Sequence, residues 1–278
     1  MSLRYTKIKK KPTTFNRLFG VSVSQFEEIL REVEPAWQSR VIGRYKRQGR
    51  SYKRDVSDML LMLLLYYRSY ITQEFVGFLF GIDDSRVCRI IQKLEPILAK
   101  IMAISKERKL SKGEVEHLII DATEQTIERP KRSQKTYYSG KKKRHTLKTE
   151  IRITPQGRIV HVSKSRPGST HDFTLYKSEP PIPPGSRAIV DSGYQGFHHE
   201  HPDVDFPYKA TKKKPLDREE KEYNTGLSRL RTKVEHILGD IKLFKILSDR
   251  YRNKRKRYNL KFQIIAGIVN VKNGFATI

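Results

Sequence analysis

His117-Leu118-Ile119-Ile120-Asp121 is a short aliphatic run closed by an acid, and Arg187-Ala188-Ile189-Val190-Asp191 repeats the pattern later in the chain. Brief runs rich in β-branched residues and bounded by polar turns read as buried strands. The first is expected over 116–127 and the later one over 187–191. Between them, 146–154 and 158–164 form a hairpin across Pro155-Gln156-Gly157, and a helix starts near Ser169-Thr170-His171-Asp172. Helices are expected at 216–223, 225–247 and 260–271.

The resulting order, β-β-β-α-β-α, is that of a ribonuclease-H-like α/β core, a mixed sheet with flanking helices. In that topology the first and fourth strands lie side by side, so Asp121 and Asp191 come together. A third acid, Glu235, follows in a segment where Leu227, Leu230, Val234, Leu238 and Ile241 recur at helical spacing. Two strand carboxylates and one helix carboxylate suit a pair of magnesium ions, which prefer hard oxygen ligands and complete their shells with water and phosphate. Arg231 and Lys242 share a helical face with Glu235 at about 100° per residue, and Lys242 sits roughly 10 Å further along the axis. That distance suits a phosphate holder and not a metal ligand. Glu124 falls on the opposite strand face from Asp121, and Asp172 reads as an acid at a helix start. After Asp191, Ser192-Gly193-Tyr194-Gln195-Gly196 is a glycine turn that admits close approach to the backbone.

The 278 residues carry 57 Lys and Arg against 30 Asp and Glu, a formal charge of +27. Such an excess attracts polyanions in a salt-dependent way, and by itself leaves DNA and RNA equally open. The cations are clustered: 14 against 4 acids in residues 1–54, 8 against none in 131–148, and six in Arg250–Arg257. The loop Tyr137-Tyr-Ser-Gly-Lys141-Lys142-Lys143-Arg144-His145 suits contact with a nucleic-acid backbone, and a plain charged hairpin is the alternative. The single Cys88 excludes an intrachain disulfide. The nine-residue run Met59–Tyr67 is too short for a bilayer, which needs about 20 residues. No secretory signal, phosphate-binding GxxxxGK[ST] loop or dinucleotide fingerprint is read. A cytoplasmic, nucleoid-associated protein with no membrane partner is expected.

Ahead of the sheet the pattern is helical. Ser24-Gln-Phe-Glu27 is expected to cap a helix ending at Pro35, and 56–70 forms a largely buried helix. Residues 72–80, a Gly81-Ile82 turn and 83–93 make a helix-turn-helix. Phe75, Leu79, Ile82, Val87 and Ile90 would pack inside, while Ser85, Arg86, Arg89 and Gln92 would face a major groove. The expected division is an all-α DNA-binding region at 1–108 and a catalytic domain at 109–278.

Together these segments resemble the DDE-type transposases of small bacterial insertion sequences, in the insertion-sequence-five-like group related to Harbinger transposases. The resemblance is carried by Ile120-Asp121-Ala-Thr-Glu124, Tyr138-Ser-Gly-Lys-Lys-Lys-Arg-His145, Pro167-Gly-Ser-Thr-His-Asp172, Asp191-Ser-Gly-Tyr-Gln-Gly196 and Arg231-Thr-Lys-Val-Glu235 through Lys242. With the helix-turn-helix it spans about residues 45–272. It implies that Asp121, Asp191 and Glu235 bind two magnesium or manganese ions. It also implies cleavage of double-stranded DNA at the element's terminal inverted repeats, and transfer of the freed 3′-OH strand to target DNA. A homo-oligomer on DNA is expected. Related transposases often carry Tyr three residues before the arginine of this motif, where this chain has Ser228, so that tyrosine's role does not carry over. The alternatives are a catalytically silent DNA-binding regulator and a ribonuclease-H-like nuclease without strand transfer.

Overall fold

The computed structural model describes residues 2–43, 51–104, 113, 115–194, 196–210 and 215–275; Gln195 of the glycine turn and residues 44–50 of the first basic block lie outside them. Short helices α1 (Tyr5–Ile8) and α2 (Pro12–Phe19) precede α3 (Val23–Trp37). The cap of α3 is Ser22 and not Ser24: its hydroxyl accepts the Gln25 N–H at 3.2 Å, and the Gln25 amide oxygen accepts the Ser22 N–H at 2.9 Å. Glu27, expected in that box, instead accepts the Tyr5 hydroxyl at 2.6 Å. Nor does Pro35 end the helix, because buried Val33 and Trp37 anchor its last turn on either side. The apolar run becomes α4 (Val56–Ser69), buried continuously from Asp58 to Tyr67.

The helix-turn-helix is α5 (Gln73–Phe80), Gly81 in the left-handed conformation at φ 63°, and α6 (Asp84–Ile101). Gly77 also has to be glycine, since a Cβ there would lie 2.4 Å from the Ile82 carbonyl. Val87 and Ile90 are buried as expected, but Phe75 is half exposed and stacks on Phe78, itself 79% exposed. The packed positions of α5 are Val76, Gly77 and Phe80. The periodic pattern was thus one residue out of phase on this short helix.

The sheet begins with β1 (His117–Thr126), followed by α7 (Gln134–Tyr137), β2 (Tyr138–Ser139), β3 (Arg144–Ile153), β4 (Ile159–Val162) and β5 (Arg166–Pro167). Then come α8 (Asp172–Lys177), β6 (Arg187–Ile189), β7 (Val204–Asp205) and α9 (Arg218–Lys242). The strand order is β2-β3-β1-β6-β7, with β4 and β5 also pairing β3. β1 runs antiparallel to β3 and parallel to β6, so the sheet is mixed and the α/β, ribonuclease-H-like expectation holds. Leu118, Ile120, Val160, Ala188 and Val190 form one core with Tyr176 of α8 and with Tyr194 and Phe197. Asp121 stands mid-strand, since β1 continues to Thr126.

Two helices expected on either side of Asn224 are one. Asn224 sits within α9 because its amide exchanges two hydrogen bonds with the Tyr208 backbone (2.8 and 3.0 Å), and the Thr225 hydroxyl bonds back to the Lys221 carbonyl at 2.8 Å. Polar groups that would otherwise unwind the helix are satisfied in place. Leu230, expected in the buried stripe, is half exposed.

The closing helix is α10 (Tyr258–Lys272). The chain forms two compact units: Met1–Ala103 with Ile241–Asp249 and Asn253–Ile278, and Ile104–Asp240 with Arg250–Arg252. Within the first, fully buried Glu95 of α6 accepts hydrogen bonds from Tyr67 (2.9 Å) and Arg257 (3.1 Å) and pairs with Lys261 of α10 at 2.8 Å. A buried charge left without its partner costs about 3–5 kcal/mol. Glu95→Ala is therefore expected to lower the stability of the full chain by about that amount, measured by urea unfolding, because Lys261 is stranded in an apolar interior. Glu95→Ala combined with Lys261→Met should recover much of the loss.

Candidate active site

The parallel register Leu118↔Ala188, Ile119↔Ile189 leads two residues on to Asp121 and Asp191. Asp191 follows the end of β6, and its Oδ1 accepts the Gly193 N–H at 2.6 Å. Asp121 Oδ1 accepts the N–H of Ala122 at 2.8 Å. Burial is the main influence on the Asp121 carboxyl and pushes its pKa up to about 6; the charges of Asp191 and Asp172 push the same way, while Arg231 opposes them. Four groups from β1, the turn after β6, α8 and α9 thus interact: Asp121, Asp191, Asp172 and Arg231. Arg231 is half-buried, and its Nε is shielded from solvent without a hydrogen-bond partner.

The sequence marks Asp172 as a helix-start acid. It is the first residue of α8, yet its carboxylate turns to the centre: a Cβ added to Gly193 would lie 2.6 Å from Asp172 Oδ2 and 2.9 Å from Asp191 Oδ1. Lys148, buried on β3, pairs with Asp172 at 2.8 Å and with Glu124 at 3.7 Å and donates to the Thr170 carbonyl at 2.7 Å. Glu124 also accepts the Thr146 hydroxyl at 2.7 Å, on the strand face away from Asp121. Lys148, Glu150 and Arg152 alternate along β3, and charges at alternate positions of a buried strand need partners of opposite sign.

A buried network lies below. Arg152 Nε donates to Glu150 at 3.0 Å and its Nη1 to the Pro180 carbonyl at 2.9 Å; the Tyr194 hydroxyl donates to Glu150 at 3.3 Å. Burial raises the Glu150 carboxyl, which Arg152 partly offsets, and raises the Tyr194 phenol well above its usual range. Tyr194 therefore remains a protonated donor at the floor of the turn that carries Asp191.

Glu235 is exposed on α9, one turn beyond Arg231, and Lys242 is exposed at the end of the same helix. Magnesium takes one or two carboxylates and fills its shell with water and phosphate oxygens. The aspartate pair fits such an ion, although among the described residues no three His, Cys, Asp or Glu side chains form a ready cage.

The basic candidates fall on two surfaces. Lys141, Lys142 and Lys143 are exposed on the tight turn between β2 and β3, where the Lys143 N–H bonds the Ser139 carbonyl at 2.8 Å, and Arg144 is exposed at the start of β3. His145 is half-buried and meets the Tyr138 ring edge to face. On α6, Arg89 is exposed and bonds back to Ser85, and partly exposed Arg86 pairs with Asp83 at 3.2 Å. No helix among the described residues is long and apolar enough to cross a membrane.

Residues 120–270 match the family model described as DDE superfamily endonuclease, and 55–103 match the helix-turn-helix of DDE superfamily endonuclease. The chain belongs to the DDE superfamily of endonucleases, and within it to the DDE-type insertion-sequence transposases. It is 38% identical over 261 residues to a probable transposase for insertion sequence element IS702 of Microchaete diplosiphon, covering 92% of this chain and 93% of that protein. It is 25% identical over 248 residues to a putative transposase for insertion sequence element IS112 of Streptomyces albus G, covering 86% and 87%. No solved structure matches it.

The raised Asp121 pKa has a thermodynamic signature. Its folded value of about 6 exceeds the usual 3.8, so the native state holds the proton more tightly. The stabilisation is complete below pH 3.8 and is lost as pH rises through about 6, roughly 2–3 kcal/mol in all. In chelator-treated buffer, Asp121→Asn should gain stability relative to wild type across that window. A difference that does not change between pH 4 and 7.5 in urea unfolding would contradict this assignment.

Proposed function

We propose that this transposase cuts phosphodiester bonds at the terminal inverted repeats of its element and transfers the freed 3′-OH to target DNA. The observation that carries the reading is the parallel β1–β6 register, which leads to Asp121 and Asp191, with Arg231 of α9 interacting with Asp121. Asp121 and Asp191 would hold two magnesium or manganese ions, with Glu235 as the third ligand from the face of α9 that carries Arg231. Such ions, when bound, supply the charge that activates water and stabilises a departing 3′ oxygen. Arg231 balances the negative charge of the pocket and offers N–H groups to a phosphate. Lys242, further along α9, would fix a neighbouring phosphate of the same strand.

The exposed cations Lys141–Arg144 with His145 would follow the DNA backbone beside the catalytic domain, assigned to 109–278. Arg86 and Arg89 would contact the ends through the helical region at 1–108, whose boundary lies outside the described residues. Two element ends call for a homo-oligomer on DNA. The protein would act in the cytoplasm on nucleoid DNA.

Asp121→Asn, Asp191→Asn and Glu235→Gln are each expected to abolish cleavage of end-bearing DNA while leaving gel-shift affinity nearly intact. Cleavage should need magnesium or manganese, whereas calcium, with longer bonds and a looser shell, should support binding and little chemistry. Undiminished cutting in chelator would overturn the metal reading.

A second comparison separates positioning from attraction. Lys242→Ala should slow single-turnover cleavage on the order of a hundredfold, as expected when a reacting group shifts by about 1 Å, with little change in affinity. Arg89→Ala should do the reverse: affinity for the ends falls by about 1–3 kcal/mol if it reads a base, while cleavage at saturation stays near normal. Purely affinity-type defects in both would make Lys242 a surface cation only.

A further inference from the structure

We propose that residues 51–54 and α6 together enclose a pocket for one backbone phosphate of bound DNA, with Lys53 and Lys93 as contacts beyond those on α6 already assigned. This deepens, and rests on, the reading that Arg86 and Arg89 meet the element's ends.

Three observations carry it. A cavity of about 270 Å³ lies beside α6, and Lys53, Arg54, Arg86, Arg89 and Lys93 line it with no acid among its walls. Pockets for drug-sized ligands run from about 300 to about 1,000 Å³, so this one suits a phosphate with its sugar and not a whole cofactor. Arg86, Arg89 and Lys93 fall within about 60° of one helical face at about 100° per residue. Ile82 and Ile90 add apolar wall against which a sugar can pack.

The positive charge is only partly answered within the protein. Arg86 pairs with Asp83 at 3.2 Å, while among the described residues Lys53, Arg89 and Lys93 make no ion pair with an acid. Like charges gathered at one cavity repel one another unless an anion shares them.

Arg54 is the third observation. It lines the cavity yet is only 8% exposed, and its Nε is shielded from solvent with no hydrogen bond. Its other nitrogens are placed: Nη2 donates to the Ser2 hydroxyl at 2.8 Å and to the Phe80 carbonyl, and Nη1 stands 3.8 Å from Asp58. A buried charged donor without a partner is costly, and a phosphate oxygen in the cavity would meet it. On the other side of Lys53, the Tyr52 hydroxyl accepts a hydrogen bond from Lys93 Nζ at 2.6 Å, and its ring meets buried Trp37 edge to face at 5.2 Å. Lys53 is thus fixed from both sides. Because the pocket shares Arg86 and Arg89 with the surface assigned to DNA, its phosphate belongs to the duplex on that surface. Such a contact sets position and carries no sequence information.

The test is fluorescence anisotropy of the full-length chain on an end-bearing duplex and on an unrelated duplex of equal length, over a salt series. Lys53→Gln and Lys93→Gln are compared with wild type, Arg89→Ala and Lys100→Gln, Lys100 being an exposed cation of α6 outside the cavity. All three lysines are exposed, so glutamine leaves the fold intact. Lys53→Gln and Lys93→Gln should weaken both duplexes by the same factor and lower the slope of log affinity against log salt by about one. The double substitution should lower it no further, since both lose the same phosphate, and Lys100→Gln should leave it unchanged. A neutral methylphosphonate moved along the end-bearing duplex should reveal one position that weakens wild type and leaves Lys53→Gln unaffected. Lysine variants indistinguishable from Lys100→Gln, with end affinity lost in Arg89→Ala, would overturn this inference and leave the helix-turn-helix reading standing. Wild-type affinity in Arg89→Ala as well would overturn that reading itself. Inorganic phosphate that raises the melting temperature over chloride at equal ionic strength through Lys53, with DNA affinity unmoved by Lys53→Gln, would assign the pocket to a free anion and overturn the backbone assignment.

Discussion

Parallel pairing of β1 with β6 is the constraint on which the catalytic unit depends. Parallel neighbours need a long crossover between them, and here the crossover is β2 to β5 and α8. Register then decides chemistry. Because Ile119 pairs with Ile189, the acids two residues beyond each fall together, and a slip of one residue would send Asp121 and Asp191 to opposite faces. The aliphatic residues that precede the acids are the ones that set this register, through the core shared by Leu118, Ile120, Ala188 and Val190.

Around that pairing the unit buries an unusual amount of charge. Glu150 and Arg152 are fully buried, and Lys148 nearly so, all on one face of β3. Each has a partner: Arg152 with Glu150, Glu150 with Tyr194, and Lys148 with Asp172 and Glu124. Buried ion pairs of this kind seldom add net stability over apolar packing. Here they fix carboxylates and a phenol in set orientations around the turn that carries Asp191, so their use is in preorganisation.

The acids of the site and the basic excess of the chain act at different ranges. A charge of +27 attracts a polyanion from a distance and is screened by salt. Buried carboxylates act over a few ångströms and are screened little. Surface cations such as the exposed Lys141–Arg144 segment and a sheltered acid such as Asp121 therefore act over different distances.

The sequence by itself determined the elements whose signals are local. The aliphatic runs ending in Asp121 and Asp191, the Gly81 turn between α5 and α6, and the basic Lys141–Arg144 tip follow from periodicity, glycine and charge, and the α/β core followed from their order. What depended on partners distant in the chain was decided only by tertiary structure. Phe75 lies outward because Val76 and Phe80 take the inner positions of α5. Asn224 stays within a continuous α9 because Tyr208 satisfies its amide. Helix α10, which follows α9 in sequence, packs with α6 through Glu95 and Lys261. Asp172 looks like any acid at a helix start until β3 supplies Lys148 and the turn after β6 supplies Gly193. The orientation of a carboxylate is set by its nearest charges, and in this fold those charges come from strands far from it in sequence.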